Sequence, residues 1–246
     1  MLLSVAGCSH PTAVPAVPVR TVVPAGDAAA EAVVALTDAA VGNPTNAGAD
    51  ASVGAPTGAP TDVHARLAAL VPADMNLVLI TVDTLRWDLH FAGNPREMSP
   101  SLDRLAAQSV VFERGYSLSS YTGRSVGPLM IGRYPSECPN DHMHFTAYAD
   151  ENVFLAERLN DAGFVTMGTA SHRYFRRAVG LLQGITHWDA SGSHSTDTVA
   201  TDDRVASNAI RLIERHGHER GRYFLWAHMV DPHADYLPHP ELADFG

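Results

Sequence analysis

The chain has no lysine; all 17 of its basic residues are arginine. Without a side-chain amine there is no Schiff-base chemistry, no lysine general base and no lysine clamp for a phosphate. We read the bias as a coding preference, since nothing forces arginine at every exposed site. Cysteine is nearly as scarce, with Cys8 and Cys138 alone among 246 residues, which excludes a disulfide framework. Basic residues form no block and the net charge is −10, so nucleic acid is excluded as a partner. No apolar run reaches the 18 or so residues that a membrane-spanning helix needs. No internal repeat is present. The hydrophobic fraction of 46% is still ordinary, so a real core is available.

Residues 9–62 are rich in Ala, Pro, Gly, Thr and Val, with almost no aromatics and few charges. Segments such as Pro15-Ala16-Val17-Pro18 and Gly54-Ala55-Pro56-Thr57-Gly58-Ala59-Pro60 offer no periodic apolar face. The stretch reads as a disordered, partly extended tether. A short helix over Ala28–Ala40 would be marginal on its own. Ahead of it, Val5-Ala6-Gly7-Cys8 resembles a bacterial lipobox, in which the cysteine is lipidated and the residues before it are removed. The apolar residues Leu2, Leu3, Val5 and Ala6 make a short h-region and no charged n-region precedes them, so this reading needs a start upstream. The competing reading is an Ala/Gly-rich terminus with one ordinary thiol. Residues 1–8 are assigned as a remnant lipoprotein signal, 9–62 as the tether and 63–246 as folded.

Beyond Val63 the pattern alternates. His64–Leu70 predicts a short helix. Asn76–Val82 is a β-branched run, apolar on both faces, as a strand buried in a parallel sheet should be. Ser99 offers an N-cap with Pro100 at N1, opening a helix whose Leu102, Leu105 and Ala106 share a face. Val110-Val111-Phe112 predicts a short strand, and Ser125–Ile131 a helix. Asp150 is placed as the cap of a helix carrying Val153, Phe154, Leu155 and Leu159 and closed by Gly163. Phe164–Gly168 predicts a strand, Thr198–His216 a helix stopped by Gly217, and Arg222–Val230 a strand ending at Asp231. Alternation of this kind predicts a parallel α/β sheet.

Such sheets place their chemistry beyond the carboxyl ends of their strands. Asp83 stands there, able to give oxygen to a hard or borderline cation; the bland alternative is a turn cap. Downstream, Ser119-Ser120-Tyr121-Thr122-Gly123-Arg124-Ser125 can present a hydroxyl at a helix N-terminus, where free N–H groups favour an anion.

The segment Asn76–Asp88, NLVLITVDTLRWD, resembles the opening strand of the sulfatase family within the alkaline phosphatase superfamily. Four further segments are similar and occur in the family's order: Ser99–Ser117, the hydroxyl-rich turn running to Ile131–Pro135, the GFVTMGTAS stretch from Gly163, and Phe224–Tyr236. Ordered segments are far more specific than one motif. The resemblance covers roughly the last two-thirds of the chain. It implies an alkaline-phosphatase-like sandwich with a mainly parallel central sheet flanked by helices. It also implies a divalent metal (Ca, Mg, Mn or Zn) and hydrolysis of a small-molecule or glycan sulfate or phosphate ester.

Carried over residue by residue, the resemblance makes Asp83 a metal ligand, with Thr84 where a second ligating Asp often stands. Counting back from Gly132-Arg133-Tyr134-Pro135 puts the nucleophile, and a second metal ligand, at Thr122; counting back from Arg124 puts it at Ser120, and the first register is favoured. The choice matters, because threonine cannot become the formylglycine that sulfatases make from Cys or Ser, and a Thr relative attacks directly. Arg124 is a candidate clamp for anionic oxygens. His233, in Asp231-Pro232-His233, is expected to touch the anionic group or the leaving oxygen. His228 reads as a strand residue satisfied by its neighbours, His172 as a weak candidate, and Asp141-His142-Met143-His144 as a solvated loop.

The family's later Asp-His-Gly cluster does not occur in the chain, which ends at Asp244-Phe245-Gly246, so the domain reads as truncated. Two expectations follow: an extracytoplasmic ester hydrolase of the bacterial periplasm or cell surface, touching the membrane only through a lipid anchor at Cys8, or a non-catalytic surface lipoprotein keeping part of the fold.

Overall fold

A computed structural model describes residues 72–172, 174–175, 179–191 and 201–233. The signal remnant, the tether, the helices predicted at Ala28–Ala40 and His64–Leu70 and residues 198–200 lie outside them. The chain divides into two compact units.

Residues 88–114 belong to the first unit. Helix α1 (Pro100–Ala106) starts after Ser99 with Pro100 at N1, as its sequence predicts. Asp103 organises this unit: its Oδ1 accepts the Phe91 N–H at 2.9 Å and the Ser99 hydroxyl at 3.2 Å. Its Oδ2 lies 3.1 Å from His90 Nδ1. The strand predicted at Val110–Phe112 does not form; Val110 and Phe112 stay about half exposed. A β-branched and aromatic triplet becomes a strand only where another strand edge receives it.

The second unit carries the sheet. Its strands are β1 (Leu77–Val82), β2 (Val165–Ala170), β3 (His187–Asp189) and β4 (Tyr223–Met229), in the order β1-β4-β2-β3. All three pairings are parallel, as predicted. Strand β1 was expected to be buried on both faces. Among the described strands it pairs only with β4 and is half-buried, with Ile80 46% exposed. The fully buried run is instead β2, and β4 is buried except at Met229.

Strand β4 shows how the sheet is clothed. Phe224 and Trp226 join one core with Val126 and Met130 of α2 (Thr122–Ile131) and with Phe154 and Ala156 around α3 (Leu155–Asp161). Tyr223, Leu225 and Ala227 join the opposite core with Val205, Ala209 and Leu212 of α4 (Asp202–His216). Alternation along the strand thus sends successive side chains to two different helix layers. The buried residues of α4, at positions 205, 208, 209 and 212, follow helical spacing.

Three boundaries differ from their sequence reading. Helix α2 starts at Thr122, three residues before Ser125, after an uncapped Tyr121. Helix α3 is not capped by Asp150; its cap residue is Phe154, whose N–H is accepted by Glu157 Oε2 at 2.8 Å. Strand β3 has only 3 residues and carries no periodicity to read.

Two tyrosines pack against helix α2, and one of them bonds it. Tyr148 donates its hydroxyl to the Gly123 carbonyl at 2.9 Å, and Tyr174 donates to the Thr146 carbonyl at 2.6 Å. A Cβ at Gly123 would collide with the Tyr174 hydroxyl, and one at Gly127 with the Tyr148 ring. Burial pushes the Tyr148 phenol up to about 12, so it stays a donor. We expect Gly127→Ala to destabilise the fold. Overpacking of about 1–3 kcal/mol opposes a helix-propensity gain of about 1 kcal/mol. Repulsion wins because the obstacle is a buried ring tied by its hydroxyl. A denaturant midpoint equal to wild type would show that the ring yields freely.

Candidate active site

The carboxyl ends of β1 and β4 lie side by side. The Asp83 N–H donates to the Met229 carbonyl at 2.8 Å, extending the ladder one residue past β1 and fixing the carboxylate at the strand tip. Thr122, the first residue of α2, donates its hydroxyl to Asp83 Oδ2 at 2.6 Å. The helix has no side-chain cap, so its first-turn N–H groups are left uncapped at the end where Thr122 stands.

Behind Asp83 runs a buried chain of polar groups. Trp226 donates its indole N–H to Thr81 Oγ1 at 3.0 Å. Thr81 Oγ1 lies 2.7 Å from His228 Nδ1. An indole nitrogen can only donate, so Thr81 accepts there; the hydroxyl oxygen has a second lone pair, and the direction of its bond to His228 Nδ1 follows the ring's tautomer. His228 Nε2 sits 3.7 Å from Asp83 Oδ2, an ion-pair distance, and has no hydrogen-bond partner among the described residues.

Burial by itself would raise the Asp83 carboxyl. The His228 imidazole, the Thr122 hydroxyl and the charge of His233 outweigh it and hold the group at about 2. A depressed carboxylate contributes stability above its ordinary pKa, near 3.8, and that contribution disappears as pH falls through about 2.

Thr84 has φ 55°, a left-handed conformation that a β-branched residue rarely adopts. Its hydroxyl turns back onto the Asp83 carbonyl at 2.7 Å. At this position the sulfatase resemblance often has a second ligand. Strain in such conformations is about 1–3 kcal/mol and gathers at functional sites. Thr84→Gly is therefore expected to raise stability by up to about 1 kcal/mol, since glycine's larger unfolded-state entropy offsets part of the relief. A loss of stability on urea denaturation would mean that the hydroxyl–carbonyl contact outweighs the strain.

The other sequence-predicted residues are placed as follows. His233 follows β4 in a turn closed by its N–H on the Val230 carbonyl at 2.8 Å. Arg124 donates to the His142 carbonyl at 3.1 Å and lies over the Tyr121 ring at 5.6 Å. Ser120 is exposed at the turn before α2. His172 Nδ1 accepts the Tyr174 N–H at 3.1 Å. Asp141 accepts the N–H groups of Met143 and Ala147 in an exposed loop, and these hold its carboxyl low.

Sequence reasoning undervalued His228. It is a strand residue, as expected, but only its Nδ1 is satisfied. The available signal was a polar residue near the tip of an otherwise apolar strand. A second arrangement had no sequence signal. Asp231 accepts the N–H groups of Thr201 at 2.7 Å and Asp202 at 3.1 Å. Asp202 in turn accepts those of Val230 at 2.8 Å and Asp231 at 3.2 Å. Burial and the neighbouring Asp231 charge push the Asp202 carboxyl up despite these bonds.

Asp83 and Thr122 fit a divalent cation chemically. They offer an ionised carboxylate and a hydroxyl oxygen, beside the orphaned imidazole nitrogen of His228. A carboxylate held near 2 is far too weak a base to take the proton of an alcohol, so the pair needs a positive charge to become reactive.

Comparison with known proteins agrees with this architecture. The sulfatase family profile matches residues 75–244. N-acetylgalactosamine-6-sulfatase of Canis lupus familiaris is 32% identical over 113 residues, covering 40% of this chain and 22% of that protein. The Mus musculus protein of the same name is 39% identical over 70 residues, 28% of this chain and 14% of that one. The chain thus matches less than a quarter of the length of either relative. Among solved structures, Ps i-CgsB in complex with k-i-k-neocarrahexaose aligns with a TM-score of 0.52 at 17% identity over 68% of this chain and 47% of that one. The C-terminal periplasmic domain of EcEptC from Escherichia coli, in complex with Zn, aligns at 0.50 and 16% identity over 67% and 46%. These two likenesses speak to the α/β fold alone. The profile spans every strand of the described sheet, and the chain belongs to the sulfatase family.

Proposed function

We propose that the chain belongs to a sulfatase-like, metal-dependent hydrolase of sulfate or phosphate esters with a hydroxyl nucleophile at a helix N-terminus. The observation that carries this reading is the 2.6 Å bond between the Thr122 hydroxyl and Asp83 at the mouth of a helix N-terminus. Asp83 and Thr122 would hold a divalent cation. When bound, it supplies the positive charge that lowers the hydroxyl pKa and offsets charge on the ester oxygens.

Each residue then has a separate task. Thr122 Oγ1, its proton passing to solvent, attacks sulfur or phosphorus in line as the ester oxygen leaves opposite, and water then cleaves the resulting Thr122 ester and restores the hydroxyl. The free N–H groups opening α2 receive the anionic oxygens. His228, positioned by Thr81 and Trp226, keeps the Asp83 carboxylate ionised and oriented without touching the substrate. His233 donates to the anionic group or to the leaving oxygen. Arg124 commits one guanidinium nitrogen to the His142 carbonyl and keeps others to offer, and it is the weakest member of the set.

Threonine favours direct transfer and so leans toward phosphate. Two relatives are named as sulfatases of an amino sugar, and one structural neighbour was crystallised with a carrageenan oligosaccharide, which supports a glycan ester. A periplasmic neighbour supports an extracytoplasmic location. The non-catalytic alternative is not favoured, because the Asp83–Thr122 pair is intact.

The test is turnover of an aryl sulfate, a phosphate monoester and a phosphodiester by the full-length gene product, before and after chelation. Turnover that disappears with chelator and returns with added metal supports the reading. No turnover of any ester, or turnover indifferent to chelation, refutes it.

A further inference from the structure

On the opposite edge of the sheet from Asp83, where β3 begins and α4 ends, three donor groups converge. His187 is the first residue of β3 and is fixed by its pairing with Met167 of β2. His216 is the last residue of α4. Glu219 follows in a turn closed by its N–H on the His216 carbonyl at 3.1 Å. Sheet, helix and turn each contribute one donor, so the arrangement does not depend on a single loop.

The two imidazole rings stack with centroids 3.7 Å apart and planes 13° from parallel. Both turn a nitrogen to one carboxylate: His187 Nε2 lies 3.2 Å from Glu219 Oε2, and His216 Nδ1 lies 2.6 Å from Glu219 Oε1. One ligand atom from each residue falls within 4.8 Å of the others. The histidine side chains are 29% and 20% exposed, and Glu219 is open to solvent at 41%, which leaves an entry path.

A tetrahedral zinc ion with nitrogen and oxygen ligands at about 2.0–2.2 Å needs donor atoms roughly 3.3–3.5 Å apart. At 3.2 and 2.6 Å both spacings to Glu219 fall short of that value, so the Glu219 side chain must rotate away from the two rings to open the shell. Two imidazoles and a carboxylate suit zinc and its borderline neighbours; a calcium-type ion would want more oxygens, and no thiolate is present to select a softer one.

We propose that His187, His216 and Glu219 form a second cation site for a borderline divalent ion of the zinc class, separate from the Asp83 site. The bound ion has three protein ligands and one open position. It ties the three-residue edge strand β3 to the end of α4. Those elements otherwise meet here through the stacked rings and one shared carboxylate.

The experiment is a calorimetric zinc titration of the untagged, full-length gene product, with Co²⁺ absorption as a second readout. The variants are Asp83→Asn, which removes the carboxylate of the first site, and Glu219→Gln and His216→Gln, each made in the Asp83→Asn background. The expected result is one equivalent of zinc that persists in Asp83→Asn and binds at least tenfold more weakly in Glu219→Gln and His216→Gln. Zinc should also raise the melting temperature of wild type and of Asp83→Asn but not of Glu219→Gln. If His216→Gln does not fold, the exposed Glu219→Gln decides alone. Zinc affinity unchanged in Glu219→Gln, or zinc binding abolished by Asp83→Asn, overturns the proposal. None of these readouts depends on ester turnover.

Discussion

Thr122→Ala should reduce metal-dependent ester turnover by at least about a thousandfold, because removing the attacking atom of a nucleophilic enzyme leaves only binding and electrostatic assistance. The fold should survive. Thr122 is the first residue of α2, and its hydroxyl contacts Asp83 rather than capping the helix. The lost bond to a charged acceptor is worth about 1.5–3 kcal/mol, a fraction of a domain's stability. Thr122→Ser keeps an oxygen in place and should retain turnover within roughly an order of magnitude, since a methyl group packing contact is all that is lost. The measurement is kcat for both variants, with circular dichroism to confirm folding. If Thr122→Ala stays within tenfold of wild type, Thr122 is not the nucleophile, and Ser120, two residues earlier, becomes the residue to replace.

The second large effect concerns stability. Trp226→Ala should destabilise the fold by about 3–5 kcal/mol, the usual range for emptying a buried aromatic site. Trp226 is 1% exposed on the central strand β4, and its ring meets Phe175 edge-on at 5.5 Å and Trp188 at 6.1 Å. Phe224 and Phe154 lie in the same core. The same ring also orders the site, because its N–H binds Thr81 Oγ1, which in turn bonds His228. Trp226→Phe separates the two roles. It keeps most of the apolar volume and deletes the donor, so turnover should fall more than stability does. Equal losses in both would mean that the indole N–H has no part in positioning His228. Denaturant titration and kcat together read the difference.

Much of this was legible in the sequence, for physical reasons. β2 and β4 are apolar runs of the length a covered parallel strand needs, and α4 repeats its apolar side chains at helical spacing before a glycine stop. That Asp83 stands at a strand tip was legible from the apolar run that ends at it; Thr122 was picked as a candidate by its distance from Gly132-Arg133-Tyr134-Pro135, and the structure puts the two side chains in contact. What escaped was set by tertiary pairing. His228 becomes a site residue only because parallel register puts it beside Thr81, 147 residues away in sequence. The exposure of β1 follows from its place at the margin of the described sheet, which local composition cannot report. Val110–Phe112 has strand-like residues and no neighbour to pair with, while β3 is a strand by pairing alone.

The crossed grip between Asp202 and Asp231 has a consequence for how this protein can vary. Each carboxylate clasps the backbone of the other's segment, so the start of α4 and the exit of β4 are locked in register to one another. His233, two residues past Asp231, inherits its position from that lock. A change at either aspartate therefore loosens both segments at once, which leaves this pair little room to vary.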